Sequence, residues 1–493
     1  MASTRSFARL APGHHIAIIG AGPAGLTIGY LLAKRGYQVT VCEGTDMVGG
    51  ISQTARYKGY RFDIGGHRFF TKIAPVQALW EELLGDDFID VPRLSRIHYS
   101  GKYFNYPLKA MNALMGLGPI EAVRIMLSYF HAKMYPSPVE ETFEQWVSNR
   151  FGTRLYEIFF KTYTEKVWGI PCTEIRAEWA AQRIQGLSLA RAILNATALN
   201  RRNNSIKSLI ESFKYPRFGP GQMWEKAAER IEELGGRVLM KHWVHQVELQ
   251  DGKAKAIVAK SPLGDVRIKA DHVISTTDVR ALVRCFGDQA PPEARTAAEG
   301  LRYRDFLTVA LMLDKTDMFP DNWIYVHTPG VKVGRIQNFN NWSAAMVEPG
   351  RTCLGLEYFC FEGDGLWTTS DADLVALAGK ELAQLGLATP DSVVDGCVVR
   401  MPKAYPIYDA EYREHLDGVR AFIDPISNLH TVGRNGMHKY NNQDHSMYTA
   451  MLTLENMLGE AQHDVWAVNT DFEYHEEQKI ETANAGTAKE AAA

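Results

Sequence analysis

The chain has 493 residues, of which 46% are hydrophobic and 23% charged, a balance that excludes disordered and fibrous classes and allows about two or three domains around a large core. A formal net charge of −3 gives no reason to expect a nucleic-acid partner. Six scattered cysteines (Cys42, Cys172, Cys285, Cys353, Cys360 and Cys397) lack the spacing of a zinc site, predict no metal centre, and fit reduced thiols in a cytoplasmic protein.

The first residues carry Arg5 and Arg9 but no apolar core, so they do not read as a secretory signal. A short apolar strand, His15 to Gly20, then runs into Gly20-Ala21-Gly22-Pro23-Ala24-Gly25 and a helical stretch from Leu26 to Ala33. A second strand, Gln38 to Cys42, ends at Glu43. Strand, glycine turn, helix, strand and acid in this order form a dinucleotide fingerprint. Gly20 permits the turn, Gly22 lets backbone approach a pyrophosphate, and Gly25 lets the helix pack close. The N-terminus of that helix then faces phosphates with free N–H groups and a partial positive charge. Glu43 stands where a carboxylate accepts hydrogen bonds from an adenosine ribose.

From about Leu108 to Ser205 the pattern is helical. Its most apolar part, Ala110 to Met134, is broken by Glu121, Arg124 and Lys133 and predicts an amphipathic helix, not an integral membrane segment. Further helices are expected over Val139 to Phe151, Arg154 to Lys166 and Gly219 to Gly236. Strands are expected at Arg237–Met240, Val244–Leu249, Lys255–Lys260 and Ala270–Thr277, the last returning to the dinucleotide sheet. Between about Leu301 and Met401 alternating runs (Phe306–Leu313, Trp323–His327, Arg335–Phe339, Cys353–Tyr358, Val398–Met401) predict an antiparallel sheet, with a helix over Asp371–Leu385. The chain then returns through His430-Thr431-Val432 to the turn Gly433-Arg434-Asn435-Gly436. A helix opening at Asn441-Asn442-Gln443-Asp444-His445-Ser446 is expected to carry its apolar residues on one face. The Ala-rich end from Thr482 predicts a tail.

Two more Gly-Gly pairs follow the fingerprint, at Gly49-Gly50 and in Asp63-Ile64-Gly65-Gly66-His67. Together they resemble the large FAD family that includes amine oxidases, protoporphyrinogen oxidase, phytoene desaturase and UDP-galactopyranose mutase. Segments spread along the chain are similar to the mutases, the eukaryotic form most of all: Tyr106-Pro107, Lys166-Val167-Trp168-Gly169-Ile170-Pro171, Trp179 with Arg183, Gly433-Arg434-Asn435-Gly436, and Asn442-Gln443-Asp444-His445-Ser446. The resemblance implies an α/β fold: a Rossmann-like FAD-binding domain with an inserted helical domain and an antiparallel β-sheet substrate domain. The expected layout is FAD-binding at 1–92, 206–300 and 416–476, β-sheet at 93–107 and 301–415, helical at 108–205, and a tail at 477–493.

The resemblance further implies pyranose/furanose isomerisation of a nucleotide sugar on reduced FAD, through a flavin N5–sugar adduct, with no net redox change. The protein's part is then placement and charge, above all a cationic grip on the leaving diphosphate. By matching position, Arg335, Arg434 and Arg183 are the diphosphate or flavin-side arginines, and Tyr325, Tyr405 and Tyr440 are the diphosphate tyrosines. His67 is a flavin-proximal histidine, not a general base. Trp168, Tyr106 and Thr164 fall on the nucleotide pocket, and Trp168 reads equally as a core anchor. Expected cofactor contacts are Gly20, Gly22, Pro23, Ala24, Gly25, Glu43, Gly49, Gly50, Gly65, Gly66, His67, Val244, Gly433, Arg434, Asn442, Gln443 and Ser446.

The chain departs from the eukaryotic mutases at Thr164, where they have asparagine, and at Leu108-Lys109, where they have phenylalanine-glutamine. The flavin and diphosphate positions carry over better than the base and sugar positions. The rival expectation is an FAD-dependent oxidase or desaturase of an amine, porphyrinogen or polyene, with an apolar tunnel in place of converging arginines; a redox-sensing or carrier flavoprotein is the third. Expected partners are the nucleotide sugar and a reductant such as NAD(P)H, and nothing in the sequence decides between a monomer and a homo-oligomer.

Overall fold

The computed structural model describes residues 7–106, 108, 110–177, 208–209, 212–316, 318–469 and 477–478. At its centre lies a five-stranded parallel sheet in the order Arg237–Leu239, Gln38–Cys42, His15–Ile19, His272–Ser275, Leu429–Thr431. Strands covered on both faces need continuous apolar runs, and Ile16, Ala17 and Ile18 are fully buried. Helix Pro23–Lys34 follows the glycine turn and shares a core with helices Gly221–Glu233 and Gln443–Leu458 through Leu26, Ile231 and Met447. The last of these helices sends its expected apolar row, Met447, Met451, Leu454 and Met457, into that core, but its other sides are enclosed as well. It is buried on nearly all sides, polar residues Asp444, Thr449 and Thr453 included, because helices Pro23–Lys34 and Ala74–Leu84 and the turn at Val465–Ala467 all pack around it.

A seven-stranded sheet forms the second layer, in the order Val393–Pro406, Tyr303–Leu313, Thr352–Cys360, Arg335–Asn338, Trp323–Val326, Ser95–Tyr99, Lys102–Asn105. It is antiparallel except where Trp323–Val326 runs parallel to Ser95–Tyr99. Helix Asp371–Gln384 covers one face, with Leu374, Ala378 and Leu382 against Leu311, Leu354 and Leu356. The opposite face is also enclosed, so Tyr303–Leu313 and Thr352–Cys360 are buried along their whole length. A separate hairpin sheet, Trp243–Gln250, Lys253–Ser261 and Gly264–Lys269, includes a third strand that the charged run Asp265–Lys269 concealed.

In the helical tract the single helix expected over 110–134 is two, Ala110–Leu117 and Pro119–Met134, parted at Gly118 with φ +92°. The helix expected from Val139 starts instead at Phe143, where Thr142 and Gln145 form a reciprocal capping box. The next runs from Thr153 to Trp168 with a π-helical turn at Glu157–Lys161. Trp179 and Arg183 lie outside the described residues, as does most of the expected tail. Among the described residues no helix is long and apolar enough to cross a membrane, no three His, Cys, Asp or Glu side chains could hold a metal ion, and all six cysteines are free.

Candidate active site

A single cavity of about 1470 Å³ runs from the first glycine turn to the helical tract. At its near end Gly20 sits at φ +98°, in the left-handed region open to glycine. Gly22 caps helix Pro23–Lys34 without a side chain, and a Cβ there would meet only the Gly50 Cα, at 4.0 Å. Bare backbone donors therefore face the cavity. Glu43 is fixed beside them, accepting from the Ala21 and Thr45 N–H groups at 2.9 Å each. A second helix start faces the same space. Asn442 gives helix Gln443–Leu458 no side-chain cap, and both amide atoms of Gln443 are buried without a partner among the described residues. A buried amide left unsatisfied in this way marks a place for a polar ligand. Glycine backbone, two uncapped helix starts and this amide fit a dinucleotide.

The middle of the cavity is built by sheet register. Ile97, Tyr325, Arg335, Glu357 and Thr308 are successive cross-strand partners, so they form one row on one face. Arg335 projects from that row with its side chain 19% exposed, above a Glu357 that is fully buried. Its Nη2 lies 2.5 Å from Glu357 Oε2 and donates to the Tyr405 hydroxyl at 2.9 Å. Burial would lower the Arg335 pKa; Glu357 outweighs it and holds the group well above the ordinary arginine range. Gln337 donates to the other Glu357 oxygen at 2.7 Å.

Arg434 enters the same cavity from the glycine turn Gly433–Gly436. Its guanidinium lies 4.8 Å from the Tyr405 ring and 4.3 Å from the Tyr440 ring, and these rings stack at 5.6 Å. Among the described residues Arg434 has no carboxylate partner. Tyr405 thus touches both guanidinium groups. Trp168 stands 6.3 Å from it, Tyr106 packs on Tyr325 at 4.3 Å, and Tyr163 meets Tyr325 edge-on while lying flat on His327 at 4.7 Å.

His67 lines the same cavity, within electrostatic reach of both arginines. Burial, then Arg434 and Arg335, push its pKa down to about 3, so the imidazole is neutral at physiological pH. Its loop is held from beneath by Asp63, which accepts from the Tyr215 hydroxyl at 2.7 Å and from the His67 backbone. Gly66 lies flat because a Cβ would press on the Gln337 amide at 2.9 Å.

Of the residues singled out in the sequence, Arg335, Arg434, His67, Tyr325, Tyr405, Tyr440, Trp168, Tyr106 and Thr164 all line this cavity. So do Gly20, Gly22, Pro23, Ala24, Glu43, Gly50, Gly65, Gly66, Val244, Gly433, Asn442, Gln443 and Ser446. Gly25 and Gly49 do not. A Cβ at Gly25 would overlap the Gly20 carbonyl oxygen, and one at Gly49 would press on Trp224 and Gln53, so both serve the fold of the turn. Arg183 lies outside the described residues. Lys166, part of a segment that carried the resemblance, faces away: its ammonium donates to the Val326, Thr328 and Val333 carbonyls. Gly169 closes the same helix at φ +67°, against the Arg304 guanidinium. Sequence reasoning missed Glu357, Gln337, Tyr163 and the Asp63–Tyr215 support.

The sequence pattern described as flavin containing amine oxidoreductase matches residues 23–434. The chain belongs to that family. Among curated relatives of this family member, the L-amino-acid oxidase of Crotalus adamanteus is 24% identical over 325 residues, 61% of this chain and 58% of its own length. A protein named probable UDP-galactopyranose mutase, from Klebsiella pneumoniae, is 30% identical over 173 residues, 33% of this chain and 43% of its own. The chain therefore spans about half the length of the curated relatives it matches. The solved structure of a reduced UDP-galactopyranose mutase superposes with a TM-score of 0.80 at 23% identity, covering 94% of this chain and all of that one. A redesigned putrescine oxidase gives 0.62 at 16% identity, covering 91% and 100%. The flavin amine oxidoreductase fold is thus shared with a protein named a mutase and with oxidases alike.

Proposed function

We propose that the protein is a flavin-dependent nucleotide-sugar mutase that interconverts pyranose and furanose rings. The observation that carries this reading is Tyr405, which contacts both the Arg335 and the Arg434 guanidinium groups inside the cavity. Two planar cations held by one tyrosine, Arg335 at its hydroxyl and Arg434 over its ring, suit a leaving diphosphate, since guanidinium forks bind phosphate oxygens bidentately and stay charged. Glu357 takes up part of the Arg335 charge, so Arg434 is the stronger anion site and Arg335 the more directional one. The stacked Tyr405 and Tyr440 rings, with Trp168, shield this spot from water and raise the worth of each charge. His67, kept neutral by burial and by both arginines, adds a hydrogen-bonding edge without a third positive charge.

Held by Gly20, Gly22, Gly50, Gly433 and the helix start at Gln443, reduced FAD would supply an electron-rich nucleophile toward the anomeric carbon. An external reductant such as NAD(P)H is needed to reach that state. The competing reading, an oxidase, draws support from the far end of the cavity, where Ile97, Leu108, Phe143, Phe159 and Phe160 make an apolar wall. The two separate in one experiment. Dithionite-reduced, FAD-loaded protein is incubated with several nucleotide hexopyranoses and products are separated by chromatography. A furanose isomer from reduced but not oxidised protein is expected. Steady peroxide release with an amine or porphyrinogen, and no isomer from any sugar, overturns the mutase in favour of the oxidase.

A further inference from the structure

A positive φ is costly for any residue but glycine, and four of the residues that adopt one have an ordinary reason. Lys58, Ser100 and Asp251 each precede a glycine in a two-residue hairpin, and Lys241 turns the chain between strands Arg237–Leu239 and Trp243–Gln250. The other three among the described residues are Lys403 (φ +54°), His438 (φ +45°) and Asn469 (φ +59°). They gather at the arginine–tyrosine cluster. His438 lies two residues before Tyr440, Asn469 donates to the Tyr440 carbonyl at 2.8 Å, and Lys403 lies two residues before Tyr405. Histidine and asparagine are frequent in the left-handed region; a lysine inside a long strand is not.

Lys403 sits in a bulge of strand Val393–Pro406. Met401 pairs with Phe306 and Tyr405 with Arg304, so Pro402, Lys403 and Ala404 stand opposite Asp305 alone. Three contacts hold the lysine there. Its N–H donates to Asp305 Oδ1, while the other oxygen of that carboxylate accepts from the Glu362 N–H at 2.7 Å. Its carbonyl accepts from the Asn435 amide at 3.1 Å, in the turn that carries Arg434. Its ammonium lies 3.1 Å from Asp278 Oδ2, three residues past strand His272–Ser275 of the central sheet, and that carboxylate is only 6% exposed. One residue therefore joins the strand of Tyr405, the turn of Arg434 and the parallel sheet. Pro402 and Ala404 line the cavity, whereas Lys403 does not.

We infer that Lys403 is a positioning residue that sets Tyr405 against Arg434 and thereby the affinity of the cavity for a diphosphate, an inference that rests on the mutase reading. The ion pair with Asp278 offsets the cost of the left-handed backbone. Without it the residue returns to negative φ, its N–H leaves Asp305, its carbonyl leaves Asn435, and Tyr405 shifts relative to Arg434. Glycine needs no such tether, because it adopts positive φ freely.

The test compares Lys403→Met with Lys403→Gly in the full FAD-loaded chain, titrating UDP and, separately, inorganic pyrophosphate while following flavin absorbance. Lys403→Met keeps the length of the side chain but not its charge, and is expected to weaken UDP binding about fivefold, the cost of one left-handed residue left without its tether. Lys403→Gly, the larger change in size, is expected to stay within about twofold of wild type. Flavin content is expected to be unchanged in both. An equal loss in the two variants makes the ion pair alone responsible and overturns the proposal. Unchanged binding in Lys403→Met, or loss of FAD in parallel with UDP, overturns it equally. In each of these cases a wild type that binds UDP and isomerises a nucleotide sugar leaves the mutase reading standing. A wild type that binds neither UDP nor pyrophosphate overturns that reading, and the role of Lys403 with it.

Discussion

Arg335 has two partners of opposite consequence. Tyr405 directs it toward the cavity, whereas Glu357 moors it to the sheet and offsets its charge. Substitution at the two positions is therefore expected to diverge. Arg335→Ala should lower turnover by on the order of 10²-fold, about 3 kcal/mol, as loss of one preorganised donor does elsewhere. Flavin content should stay unchanged, because the dinucleotide cradle is built from other elements. Glu357→Gln keeps the shape and the Gln337 contact but leaves Arg335 uncompensated. Binding of a nucleoside diphosphate such as UDP should then tighten by about tenfold, roughly 1.4 kcal/mol, in a titration followed by flavin absorbance. Weaker binding would mean that Glu357 only holds Arg335 in place. Arg335 stood out in the sequence because it begins a strand with a resemblance behind it. Glu357 did not, being a lone carboxylate inside the apolar run Cys353–Phe359. Only the register of strand Arg335–Asn338 against Thr352–Cys360 pairs the two, and register is a property of the folded sheet.

At the scale of elements, two glycines of one turn do different work. Gly22 has a negative φ of −81° and open space above it, so a side chain there strains nothing in the protein but enters the dinucleotide cradle. Gly25 lies against the Gly20 carbonyl, so even a methyl group forces helix Pro23–Lys34 off the sheet, at about 1–3 kcal/mol by analogy with overpacked cores. Gly22→Val is expected to give a folded protein that retains little FAD, measured by fluorescence after denaturation. Gly25→Ala is expected to lower the melting temperature of the apoprotein itself; equal melting temperatures for the two variants would contradict this division. The turn, its flanking strands and the long strands of the second sheet were legible because each is a long apolar run with clear punctuation. The boundaries in the helical tract were not. Thr142 caps a helix in the middle of a tract that looked helical throughout, and Gly118 breaks one whose apolar pattern continues across it. In helix Gln443–Leu458 the apolar row was legible, but the burial of Asp444, Thr449 and Thr453 was not, because it comes from tertiary neighbours that periodicity does not report.

For the whole molecule, loss of stability in acid begins with histidines enclosed in a neutral state, before paired carboxylates such as Glu82 and Glu121, whose pKa values are lowered, take up protons. Burial, the largest cause in each case, lowers His67 and His327 to about 3 and His272 and His438 to about 4. In the unfolded chain all four return to about 6.5. Between these values the unfolded state binds protons that the folded state refuses, so stability rises with pH through the window. Their contribution is fully present above about pH 6.5 and is lost as pH falls toward 4 and then 3. Each histidine adds up to about 1.4 kcal/mol per pH unit there. Asp63 and Asp305, raised by burial, act in the opposite sense, because the folded state keeps protons that the unfolded chain releases. They cannot produce the acid loss. His327 isolates the effect well, since its ring lies flat on Tyr163 and a phenylalanine can keep that stack. His327→Phe is expected to reduce proton uptake on unfolding between pH 6 and 4 by about one proton, read from the pH dependence of unfolding free energy. An unchanged slope would show that His327 takes up its proton without leaving the fold.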